Sequence, residues 1–91
     1  MDNAMLSLEI LEHISGTGAA VCFGLNHNGK PTVTIKTGNH INREINTTLM
    51  ATCVAFDHGH VSGSIAVGEN TQATATVRKK EVSTSASAKD D

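Results

Sequence analysis

Alternation at period two runs through the middle of the chain and divides its positions into two sets. One set is apolar: Val21, Phe23, Leu25, Val33, Ile35, Val54, Phe56, Val61, Ile65, Val67 and Val77. The other is small and almost uncharged, with Cys22, Gly24, Thr32, Thr34, Ala51, Cys53, Ala55, Ser62, Ser64, Ala66, Gln72, Thr74 and Thr76, and Lys36 as its one charge. Alternation of this kind predicts antiparallel strands with one buried face. The apolar set is therefore expected to form the core. The small-residue set is expected to form an open face suited to close approach by another surface.

Before the strands, residues 3–14 carry Leu6, Ile10, Leu11 and Ile14 at helical spacing, with Glu9, Glu12 and His13 on the other side. A helix there, packed on one face of the sheet, is the expectation. Residues 19–37 read as a hairpin. A two-residue turn at Asn28-Gly29 would place Val33 and Ile35 on the wrong face. A three-residue loop, His27-Asn28-Gly29, instead pairs Phe23 with Val33 and Val21 with Ile35. Residues 38–47 break the pattern with Gly38, Asn39, Asn42 and Asn46, so they read as an irregular loop in which Ile41 and Ile45 anchor a turn.

Residues 48–77 read as three further strands. The turn at 57–60 pairs Phe56 with Val61 and Val54 with Gly63; the turn at 68–70 pairs Ile65 with Ala73 and Val61 with Val77. The expected fold is thus α+β: an N-terminal helix packed on one face of an antiparallel four- to five-stranded meander sheet. Residues 1–80 would form the domain and residues 81–91 a small, polar, disordered tail.

Composition narrows the function classes. A chain of 91 residues makes a single domain. Two Phe and no Trp or Tyr leave little for base or sugar stacking, and a net charge of −2 gives no footprint for nucleic acid. The basic run Arg78-Lys79-Lys80 is short and is followed by Glu81. No apolar stretch is long enough to span a membrane, and no signal-type segment is evident at the N-terminus, so a cytoplasmic location is expected. On that reading the sequon Asn46-Thr47-Thr48 is a chance match and the two cysteines are free thiols. If the second strand separated theirs, Cys22 and Cys53 would lie roughly 10 Å apart, too far to bridge.

Candidate chemistry is sparse. Asp57, His58 and His60 could contribute to a zinc site, with His27 or His40 completing it, but their spacing fits no established pattern. A turn rich in Asp, Gly and polar residues has backbone reasons enough. No nucleophile is paired with a base, and Gly16 and Gly18 precede a strand rather than a helix. The expectation is a non-catalytic interaction module without cofactor, an inhibitor or adaptor of the compact kind that phages and mobile elements encode. Its partner would be another protein or a second copy, not nucleic acid or membrane. Partner-binding residues would be Thr34, Cys53, Ser64 and Thr74 on the small-residue face, with His40, Asn42 and Arg43 on the 38–47 loop. The alternatives are a self-assembling structural subunit using the same face, and a metal protein or enzyme built on the loop histidines.

Overall fold

A computed structural model describes residues 16–79 and 81–89. They form seven strands: β1 (Ala19–Leu25), β2 (Pro31–Thr37), β3 (His40–Thr47), β4 (Met50–Asp57), β5 (His60–Val67), β6 (Thr71–Arg78) and β7 (Glu81–Ala88). These make two antiparallel sheets, one in the order β2-β1-β4-β5 and the other β3-β6-β7. The expected α+β meander is therefore corrected to an all-β sandwich, with no helix among the described residues. Segment 3–14, expected as a helix, lies outside the described residues.

Local turn chemistry sets the hairpins. Between β1 and β2 the loop is His27-Asn28-Gly29, closed by a bond from Gly29 N to Asn26 O (2.9 Å), with Gly29 at φ +82°. Phe23 pairs with Val33 and Val21 with Ile35, as side-chain parity requires. Between β4 and β5, His58 and Gly59 both have positive φ (46° and 85°), the conformation of a two-residue primed turn. That turn pairs Asp57 with His60 and Phe56 with Val61.

Two expected elements are corrected. Residues 38–47, read as a loop, contain β3: Ile41 and Ile45 point inward and are buried (9% and 5% exposed), opposite Val77 and Ala73 of β6. Residues 81–88, read as a disordered tail, form β7, paired along its length with β6. The expected pairing of β5 with β6 is also absent. These strands belong to different sheets, and β6 lies between β3 and β7.

The core lies between the sheets, and it inverts the expected faces of the four-stranded one. Ala20, Cys22, Ala51, Cys53 and Ala55 point inward and are fully buried. Against them pack Ile41, Ile45, Ala73, Ala75 and Val77 of the other sheet, with Val82 and Ala86 of β7 alongside. Alanines on both sides, with Ile41, Ile45 and Val77 as the larger side chains between them, let the sheets approach closely. At Gly24 an added Cβ would sit 2.4 Å from Thr47 Cγ2, so only hydrogen fits there.

Candidate interaction surface

The apolar alternation of the four-stranded sheet faces away from this core. The registers place its outward residues in rows that run across β2, β1, β4 and β5. The rows are Thr37-Ala19-Phe56-Val61, Ile35-Val21-Val54-Gly63, Val33-Phe23-Thr52-Ile65 and Pro31-Leu25-Met50-Val67. None of the sixteen is charged, and the two polar members are threonines. Thr52 donates its hydroxyl to the Ser64 carbonyl at 2.8 Å, leaving little polarity on the surface.

Burial across this face is uneven. Ala19 and Phe56 are buried (0% and 2% exposed), with Val21 and Val54 packed against them. The edge strands are open: Val33 is 56% exposed, Ile35 57%, Val61 46%, Ile65 62% and Val67 66%. Among the described residues no strand lies over this face, because the second sheet occupies the other side. Single exposed aliphatics are ordinary on protein surfaces, whereas a contiguous set on one sheet face marks an interaction surface.

The residues expected to bind a partner are dispersed. Thr34, Cys22, Cys53 and Ser64 make one row on the inner face of the four-stranded sheet, turned toward the second sheet. Cys53 has no exposed surface and forms a disulfide with Cys22, so the cysteines are not the separated free thiols expected. The correction follows from strand order: β2 lies outside β1, so β1 and β4 are neighbours and the cysteines stand directly opposite. Ser64 is half-buried, its hydroxyl 2.7 Å from that of Thr84, which also meets Ser62 at 2.9 Å. Thr74 lies on the outer face of the other sheet and bonds Ser85 at 2.7 Å.

His40, Asn42 and Arg43 do not act as one loop. His40 and Asn42 are exposed on the outer face of the three-stranded sheet, where Thr76 donates to Asn42 Oδ1 at 3.3 Å. Arg43 points inward, opposite Ala75 and between Ile41 and Ile45, and its Nε is buried without a hydrogen-bond partner. A cation turned inward on an edge strand discourages a further strand from adding there.

Asp57, His58 and His60 belong to the β4–β5 turn. Asp57 is buried and its Oδ1 meets His58 Nδ1 at 2.5 Å, while His60 stands opposite Asp57 in the ladder. His27 lies at the other end of β4, donating its backbone N–H to Thr48 Oγ1 at 2.8 Å. Among the described residues no three His, Cys, Asp or Glu side chains are grouped to hold a metal ion. Nor is any helix among them long and apolar enough to cross a membrane.

The sequence reading missed the outer face because it assigned the larger side chains to the interior. The available signal was the matching run Ala73, Ala75 and Val77, a second set of small inward residues against which an Ala/Cys face can close. Compared with known proteins, the chain matches no family model, no curated protein and no solved structure.

Proposed function

We propose that this protein is a non-catalytic binding module whose working surface is the outer face of the four-stranded sheet. One observation carries the reading: Val33, Ile35, Val61, Ile65 and Val67 stand 46–66% exposed on a face without a charged residue. Leaving such side chains in water forgoes roughly 1.5–3 kcal/mol for each one that could be fully buried. A partner that covers them recovers part of that stabilisation, which makes the face a source of affinity.

The disulfide bears on where the module works. A fully buried Cys22–Cys53 bridge is formed and kept in oxidising surroundings and is rare where glutathione keeps thiols reduced. It favours folding in an oxidising compartment over the cytoplasm expected from sequence alone.

The test is a pair of lysine substitutions on opposite surfaces. Ile65→Lys places a cation on the outer face of the four-stranded sheet; Thr74→Lys places one on the outer face of the other. The reading expects association, with itself or with another protein from its source cells, to be lost in the first variant and kept in the second. Equal association in both folded variants would overturn it.

A further inference from the structure

We propose that the open edge of β3 takes up one extended strand of a partner protein, and that this strand brings an aspartate or glutamate to Arg43. The slot arises from a mismatch of four strands against three. β7 lies over β5, joined by the hydroxyls of Thr84, Ser62 and Ser64, and β3 lies over β1, where Thr47 closes on Gly24. β2 is left with no strand opposite it. The inward residues of β1 and β4 are accordingly sealed, whereas Thr32 and Lys36 of β2 are exposed and Thr34 is half-buried. β3 pairs with β6 alone, so along its other edge alternate N–H and C=O groups have no ladder partner among the described residues. One added strand would complete that ladder and cover the inward face of β2.

Charge selects which strand enters. The row Arg43-Ala75-Thr84 lies level with the rows Lys36-Ala20-Ala55-Ser62 and Thr34-Cys22-Cys53-Ser64, because Thr84 reaches both serines. Two inward cations, Arg43 on β3 and Lys36 on β2, therefore border the slot. Neither side chain has a hydrogen bond or ion pair among the described residues, and Arg43 Nε is buried without a partner. The adjacent carboxylate is committed elsewhere: Glu44 faces outward on β3 and accepts a hydrogen bond from Gln72. An inward cation turns away strands in general, and a strand that carries the opposite charge at that level is the exception. A free anion would answer the charge but leave the ladder open, whereas an acidic strand answers both. Affinity in such additions comes from main-chain hydrogen bonds, so no large apolar area is needed.

Amide NMR of the isotopically labelled full chain tests this with two synthetic seven-residue peptides. Both alternate threonine with valine; one has glutamate at its centre and the other lysine. The glutamate peptide is expected to shift the amides of β3 from Ile41 to Ile45 and to bind at least about tenfold more tightly than the lysine peptide. Arg43→Glu is expected to reverse that order and Arg43→Gln to abolish it, with circular dichroism and a cooperative melt confirming each fold. If Arg43→Glu does not fold, Arg43→Gln decides. Ile65→Lys, on the outer face of the other sheet, is expected to leave peptide binding unchanged, which keeps this test separate from that of the apolar face. Equal binding of both peptides by wild type, no shift with either, or an order that survives in Arg43→Gln overturns the proposal. So do the same β3 shifts with N-acetylglutamate alone, which would mark an anion site only. Slow amide exchange along the open edge of β3 before any peptide is added also overturns it, because the chain would then fill the slot itself.

Discussion

Cys22 and Cys53 face each other across β1 and β4 with 4.1 Å between their Cα atoms, joined sulfur to sulfur in the middle of the sandwich. Their row runs on to Thr34 at one edge and Ser64 at the other. The bridge therefore locks the two central strands of one sheet, whose contact spans 31 residues of sequence. A crosslink over that separation removes loop-closure freedom from the unfolded chain, worth about 3–4 kcal/mol.

Cys22→Ala/Cys53→Ala should accordingly lose about that much stability while keeping the fold, and reductant should lower the melting temperature of wild type alone. Thermal melts with and without reductant check it. A wild type that is indifferent to reductant, as stable reduced as oxidised, would contradict the stabilising role given to the bridge.

Deleting residues 81–91 should abolish cooperative folding. β7 supplies Val82 and Ala86 to the core and the Thr84 hydroxyl that joins Ser62 and Ser64 of the opposite sheet. Without it β6 becomes an edge and the inner face of β5 loses its cover. A truncated chain that melts like the full one would show β7 to be dispensable.

Gly24→Ala should cost about 1–3 kcal/mol, since the new methyl would press on Thr47, whose hydroxyl bonds the Met50 carbonyl at 2.5 Å. Urea denaturation measures the change. An unmoved midpoint would mean the sheets separate there more readily than the packing implies.

Phe56→Ala should lose about 3–5 kcal/mol, whereas Val67→Ala, in protein dilute enough to be monomeric, should change stability by no more than about 0.5 kcal/mol. Phe56 is 2% exposed and Val67 66% exposed on the same outer face. Comparable losses at both sites would contradict the uneven burial of that face.

Local features of this fold were legible in the sequence. Parity fixed the three-residue loop between β1 and β2 and the pairing of Phe56 with Val61, because a one-residue slip would send every side chain to the opposite face. Which face is buried was not legible from the alternation of the four-stranded sheet alone. Periodicity separates two sets of residues without saying which turns inward, and here Ala and Cys fill a narrow space that Val and Ile would overfill. Strand order was equally hidden. Placing β1 beside β4 is a long-range choice, and it alone decides whether Cys22 can reach Cys53. β3 and β7 were lost for a compositional reason: Gly38, Asn39, Asn42 and Asn46 are loop-forming residues that masked the alternation of Ile41 and Ile45, and Val82, Thr84 and Ala86 are too small to signal a strand.

Methyl NMR with an inert paramagnetic cosolute tests the account most directly, by reading which side chains meet water. At concentrations where the protein is associated, the methyl groups of Val33, Ile35, Val61, Ile65 and Val67 should be shielded. Those of Thr74 and Thr76 on the opposite outer face should be strongly relaxed. Breaking that association with Ile35→Lys/Ile65→Lys should bring the methyls of Val33, Val61 and Val67 up to the Thr74 level. Methyls of Val33, Ile35, Val61, Ile65 and Val67 relaxed as strongly as those of Thr74 and Thr76 in the associated protein would contradict the account, because the face would then be open water-facing surface with no partner upon it.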